Sequence, residues 1–179
     1  MKTFWLLMLL AATTDYVWAA SSVDWEFESD DLKVVVIGKD AVYDDVRSYQ
    51  IVVSDELRTI ARLEVNRDGL VTDAWLTDLD QDGMFEVVVA TGQLSGAEAG
   101  AVDVHEWQEF RFVSSRPKQL TTTELVGYQG NDQYTIAGGR LQRSYPMFNE
   151  TDGMWVPTGL MARFEYQYPE DRWEARGPK

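Results

Sequence analysis

A short acidic stretch carries the most distinctive chemistry in the sequence. Asp78, Asp80 and Asp82 stand at alternate positions, and Gly83 follows them directly. Carboxylates with this spacing converge on one cation in calcium-binding loops, where the glycine makes a sharp turn. The twelfth position of such a loop normally carries a bidentate glutamate, but here it is Val89. No helical pattern flanks the stretch, which favours a plain turn whose aspartates bond their own backbone amides, with calcium binding as the alternative.

Catalytic residues are harder to find. His105 is the only histidine in 179 residues, and no Gly-x-Ser-x-Gly motif accompanies it. Its neighbours are strand-like, so we expect a surface or edge histidine rather than a catalytic one. The 30 acidic residues would allow a glycosidase-like carboxylate pair, but the sequence gives no reason to select two of them. We therefore predict a binding protein rather than an enzyme, with a small hydrolase of cell-wall or glycan material as an alternative.

Two glycine-bearing stretches are candidates for binding. The first, residues 91–100, lies between two predicted strands and contains Ser95 among small residues. Small side chains let the backbone approach another surface closely, and rigid sheets commonly present binding residues on such loops. A flexible connector is the alternative. The second stretch, residues 127–132, is expected to form a packed corner held by Tyr128 rather than a binding turn.

The elements that position these residues are predicted to be β-strands. Hydrophobic and polar side chains alternate in residues 59–66, which is typical of a half-buried strand. Residues 67–69 have turn chemistry and residues 70–76 are extended again, so residues 58–76 are predicted to form a hairpin. Further strands are predicted at residues 34–37, 85–89, 101–107, 109–113, 134–136, 140–145 and 161–168. The predicted fold class is all-β, a single antiparallel β-sandwich or strongly twisted sheet of about eight short strands.

Composition narrows the class of partner. The formal net charge is −14, which repels nucleic acid and anionic membrane surfaces, so we expect neither as a partner. The absence of cysteine excludes disulfides and thiolate metal sites. Hydrophobic residues make up 45% of the chain, which argues against intrinsic disorder.

The amino terminus has the pattern of an export signal. Lys2 precedes the apolar residues 4–12, and Val17-Trp18-Ala19 provides small residues where signal peptidase cleaves. The apolar run is shorter than the roughly 20 residues that a membrane-spanning helix needs. We predict a signal peptide at residues 1–19, a single all-β domain at residues 20–179, and an exported, acidic protein.

Seven stretches of the sequence form a recognisable set; they lie at residues 67–69, 75–89, 95–96, 127–132, 139–141, 143–146 and 157–159. Together they resemble the periplasmic inhibitors of invertebrate-type lysozyme. The resemblance covers most of the chain from about Arg47 to Trp173, and the order and spacing of the stretches are more specific than any one of them.

The resemblance implies a periplasmic all-β protein whose exposed loop enters the substrate cleft of a lysozyme and blocks it. The family's loop carries a Ser-Gly-x-Tyr motif; here Ser95 and Gly96 match, and Glu98 stands where the tyrosine would be. These three become the predicted partner-binding residues, with an invertebrate-type lysozyme as the partner and no cofactor. The sequence leaves open whether the protein forms a homodimer. The alternative function is a calcium-stabilised, exported β binding module of unknown ligand.

Overall fold

Twelve β-strands form three antiparallel sheets of four strands each in the computed structural model, which describes residues 24–39, 47–67, 69–92 and 100–177. The first sheet has the order β1 (Asp24–Ser29), β2 (Leu32–Lys39), β3 (Arg47–Ser54), β4 (Thr59–Arg67). The second has the order β5 (Leu70–Thr77), β6 (Glu86–Gly92), β7 (Ala101–Gln108), β8 (Arg111–Ser115). The third has the order β12 (Arg172–Ala175), β11 (Met154–Gln167), β10 (Arg140–Thr151), β9 (Gln133–Ala137). The predicted all-β, antiparallel fold is confirmed, with more strands than the sequence indicated.

The second sheet is packed on both faces. Val87 and Val89 belong to a core shared with the first sheet, whereas Val88 belongs to a core shared with the third. Successive side chains of a strand point to opposite faces, so a strand covered on both sides needs an unbroken apolar run. All three valines are fully buried. The three sheets therefore stack as layers, with β6 in the middle.

The two interlayer cores differ in composition. The core between the first and second sheets includes Val34, Val36, Tyr49, Ile51, Val53, Phe85 and Trp107. The core between the second and third sheets includes Val102, Val104, Leu141 and Tyr166. Each large apolar side chain that is fully buried contributes roughly 1.5–3 kcal/mol relative to exposure. Together these cores fix the position of the central strands β6 and β7.

The predicted hairpin at residues 58–76 is wrong. β4 pairs with β3 and β5 pairs with β6, so the two strands belong to different sheets. Gly69 lies between them at φ +97°, and a Cβ there would come within 2.7 Å of the Gly92 carbonyl oxygen. The connection from β4 to β5 therefore leads from one sheet to another instead of reversing the chain within a sheet.

The predicted signal peptide, residues 1–19, lies outside the described residues. In the part of the chain that is described, no helix has the length and apolar character needed to cross a membrane.

Candidate functional site

The predicted partner-binding residues Ser95, Gly96 and Glu98 lie outside the described residues, but both ends of their segment are described. Residues 93–99 connect β6 to β7, which pair with each other up to Thr91 and Ala101. Neighbouring strands in a sheet lie about 5 Å apart. The segment therefore begins and ends at the same end of the central sheet, on two strands that are among the most buried in the molecule.

A polar network holds the second end of this segment. The Gly100 N–H donates to Asp132 Oδ2 over 2.8 Å, and the Tyr134 hydroxyl donates to the Gly100 carbonyl over 2.9 Å. A Cβ at residue 100 would lie 3.1 Å from both the Asp132 Cβ and the Tyr134 ring, which is why glycine fits this close approach. The backbone at the start of β7 is thus fixed by side chains that come from the β8–β9 connection and from β9.

Asp132 is itself held by a buried ion pair. Arg143 Nε lies 2.6 Å from Asp132 Oδ1, and the two side chains are 3% and 1% exposed. The Tyr128 hydroxyl also donates to Asp132. The Arg143 guanidinium lies 5.7–5.9 Å from the ring centres of Tyr128, Tyr134 and Tyr145. The stretch at residues 127–132 is therefore a packed corner, as its sequence predicted.

A groove runs beside the base of residues 93–99. Its volume is about 230 Å³, and its walls include Thr72, Asp73, Gly92, Gly100 and Tyr134. The exposed Asp73 carboxylate gives the rim of this groove a negative charge. A partner that approached this end of the sheet would meet an acidic, firmly supported surface.

The aspartate loop lies at the opposite end of β6, between β5 and β6. Asp78 accepts hydrogen bonds from the Asp82 and Gly83 amides at 3.2 and 3.1 Å, and Asp82 accepts one from the Met84 amide at 2.7 Å. Gly83 has φ +88°, a conformation that side-chain-bearing residues rarely adopt. The hydrogen bonds expected of a plain turn are therefore present, and they leave further lone pairs on the carboxylates.

Two glutamates that the sequence analysis did not select join these aspartates. One carboxylate oxygen each from Asp78, Asp80 and Glu86 lie within 4.8 Å of one another, and so do oxygens from Asp80, Asp82 and Glu106. Glu86 opens β6 and faces Glu106 directly across the β6–β7 pair. The Tyr168 hydroxyl donates to Glu106 Oε2 over 2.5 Å.

Glu86 has an unusual environment for a carboxylate. Its side chain is fully buried; Oε2 accepts a 2.6 Å hydrogen bond from the Leu79 amide, while Oε1 has no partner. Burial raises the pKa of Glu86 to about 7; the Leu79 hydrogen bond opposes this shift, and the charges of Asp80, Asp78 and Glu106 add to it. A buried carboxylate among other carboxylates is costly unless it is neutralised or paired.

His105 lies in β7 and is buried, so the expected surface position was wrong. Its Nε2 is 2.6 Å from the Tyr49 hydroxyl and its Nδ1 is 2.8 Å from Ser114 Oγ. The Tyr49 hydroxyl also donates to Asp103 over 2.9 Å. Burial lowers the pKa of His105 to about 4, against the opposing charge of Asp103, so the imidazole is neutral at pH 7.

Asp103 connects the hydrogen bonds around His105 to the first sheet. Arg67, the last residue of β4, donates to both Asp103 oxygens at 2.7 and 3.0 Å. Arg116 adds a third contact at 3.2 Å. The arrangement links the two layers through charge-assisted hydrogen bonds, which are stronger than neutral ones.

Comparison with known proteins adds no assignment: no protein-family model matches the chain, and the search of curated proteins finds no significant match.

Proposed function

We propose that this protein is an exported, periplasmic inhibitor that binds a lysozyme of the invertebrate type and blocks its substrate cleft with residues 93–99. The observation that carries the proposal is the way in which the framework holds the two ends of this segment. Both its ends are on paired, buried strands, and the Gly100 end is fixed by Asp132 and Tyr134. Binding residues gain affinity when a rigid framework holds them in place before the partner arrives.

The resemblance of short stretches to the inhibitor family is the reason for proposing a lysozyme as the partner. Ser95 and Gly96 match two positions of the inhibitor family's Ser-Gly-x-Tyr motif, and their segment joins the two central strands. A serine offers both a donor and an acceptor, and a glycine permits close approach to the floor of a cleft.

Electrostatics supports association with a basic enzyme. The net charge of −14 and the acidic groove beside the segment would attract a cationic lysozyme and accelerate encounter at low salt. Glu98 complicates the final contact, because it would approach the catalytic carboxylates of the cleft. Like charges there cost free energy unless one carboxyl group is protonated.

The direct test measures lysis of a cell-wall suspension by invertebrate-type, chicken-type and goose-type lysozymes while the purified protein is titrated. We expect dose-dependent inhibition of the invertebrate-type enzyme, weakening as the salt concentration rises. Absence of inhibition of all three enzymes at micromolar excess would refute the proposal.

A gain-of-function variant sharpens this test. Glu98→Tyr restores the family's aromatic residue and removes a negative charge from the segment. Buried aromatic anchors are frequent hot spots of interfaces, so we expect the variant to inhibit at least about tenfold more strongly. Asp31→Tyr, which adds an aromatic residue in the exposed β1–β2 turn, is the matched control and should leave inhibition unchanged. Equal effects of the two changes would contradict the assignment of this segment.

A further inference from the structure

The aspartate loop and two strand residues form a compact group of carboxylates. The group consists of Asp78, Asp80, Asp82, Glu86 and Glu106, arranged as two overlapping triplets that share Asp80. Within each triplet, the oxygens lie no more than 4.8 Å apart. Two oxygens bound to the same calcium ion, each at about 2.3–2.6 Å, are separated by at most about 5 Å. Each triplet is thus close enough for one ion to bind all three of its members.

Glu86 provides an independent indication of a ligand. Its Oε1 is buried without a hydrogen-bond partner, and a Glu86 oxygen belongs to the Asp78–Asp80 triplet. An unpaired buried polar atom normally costs about 1–3 kcal/mol, so such atoms are rare in folded proteins without a specific reason. A cation in the triplet that Glu86 binds through Oε1, or through both of its oxygens, would satisfy this atom.

The opposed glutamates give a second argument. Glu86 and Glu106 are direct cross-strand partners, and both are buried. Like charges directly opposite each other destabilise a sheet. Among the ion pairs of the described residues, none involves a member of this carboxylate group. Positive charge from another source would relieve the repulsion.

We propose that Asp78, Asp80 and Glu86 bind a calcium ion, with Asp82 and Glu106 completing its environment. Glu86 takes the place of the glutamate that a calcium loop normally has at its twelfth position, here the buried Val89. It is the ninth residue of the loop counted from Asp78, and it reaches the aspartates because β6 begins at their side. Calcium fits this group better than magnesium, which favours a rigid octahedral shell and usually only one or two carboxylates.

Calorimetric titration of calcium into the mature full-length protein, after treatment with chelator, tests the proposal. We expect saturable binding of one ion per chain, and a higher melting temperature in millimolar calcium than in chelator, because the ion binds the folded state preferentially. Both conditions are brought to the same ionic strength with sodium chloride, since general screening would also stabilise a chain of charge −14. Magnesium should bind more weakly.

Three variants make the result specific. Changes in outer-shell residues alone often weaken metal binding by about 10–100-fold, so loss of a direct ligand in Glu86→Gln or Asp80→Asn should cost at least about tenfold in affinity. Asp31→Asn removes one negative charge from the exposed β1–β2 turn and should leave affinity unchanged. The absence of saturable binding, or an equal loss in all three variants, would overturn the proposal. Asp80 lies in the solvent-accessible loop, so Asp80→Asn should still fold and give a result if the buried change Glu86→Gln prevents folding. No lysozyme is involved, so the outcome is independent of the inhibitor function.

Discussion

Replacement of Asp132 by alanine should destabilise the protein strongly, because Asp132 neutralises the buried Arg143. The two side chains are 1% and 3% exposed and their closest atoms are 2.6 Å apart. Removing one partner of such a pair leaves an uncompensated charge and typically costs about 3–5 kcal/mol. The Gly100 amide and the Tyr128 hydroxyl lose their acceptor as well. We expect a total loss of about 4 kcal/mol, a large part of the 5–15 kcal/mol that stabilises typical proteins.

Urea unfolding followed by tryptophan fluorescence measures this loss as a lower midpoint. Lys33→Ala is the control, since its partner Glu26 lies 2.8 Å away but both side chains are at least half exposed. Exposed pairs contribute about 0–1 kcal/mol, so this variant should unfold close to the wild type. A loss below about 1 kcal/mol for Asp132→Ala would refute the idea that Arg143 depends on this carboxylate.

A double variant separates charge from packing. Asp132→Asn combined with Arg143→Met removes both charges and keeps most of the side-chain volume. The remaining structure then has no unpaired buried charge, so the double variant should be more stable than Asp132→Ala alone. If the double variant were instead less stable than the single one, the packing of Arg143 between tyrosine rings would be the larger contribution.

Two further predictions concern pH and backbone geometry. Because burial lowers the pKa of His105 to about 4 from its usual 6.5, the unfolded chain binds a proton that the folded one excludes. His105 therefore lowers the free energy of unfolding as the pH falls from about 6.5 towards 4, by about 3 kcal/mol in all. Urea unfolding at pH 7 and at pH 4.5 measures this effect, and the difference in free energy between the two pH values should be smaller for His105→Gln than for the wild type. Gly127→Ala should lower the melting temperature by at least about 4 °C, because its Cβ would lie 2.4 Å from the Phe148 carbonyl oxygen at φ +75°. Gly153 has a similar φ of +76° but open space around it, so Gly153→Ala is the control. An equal fall in melting temperature for both variants would contradict the steric explanation.

Local sequence patterns predicted nine of the twelve strands, because strand patterns depend on neighbouring side chains, but they missed β1, β3 and β12. Residues 59–66 alternate and form most of β4, and the valine run at residues 87–89 lies in β6. The assignment of strands to sheets was harder to predict, because the residue types at 67–69 suit a hairpin turn and a connection between two sheets equally well. Whether β4 and β5 pair with each other or with other strands depends on residues throughout the chain, and a local pattern does not show it.

The supporting residues of the candidate sites were missed for a similar reason. Asp132 and Arg143 are 11 residues apart, and they meet because β9 and β10 pair with Tyr134 opposite Arg143, a register that the sequence alone does not show. Glu86 did carry a local signal, since it is a charged residue at the start of an otherwise apolar strand buried on both faces. His105 carried no comparable signal, because nothing in the sequence of β7 indicates that Asp103 and His105 face Tyr49 of another sheet.

The two candidate sites lie at opposite ends of one strand pair. Glu86 and Glu106 pair at one end, and Thr91 and Ala101 pair at the other, five residues along β6. At about 3.4 Å per residue the ends are separated by about 17 Å, too far for an ion at the carboxylates to contact the Thr91–Ala101 end directly. An ion at the carboxylates would instead act on the framework, by removing repulsion between the two strands that carry the segment. Calcium should therefore raise thermal stability without being required for contact with a partner. Changes at Asp132 should instead affect both stability and the position of the Gly100 end of the segment.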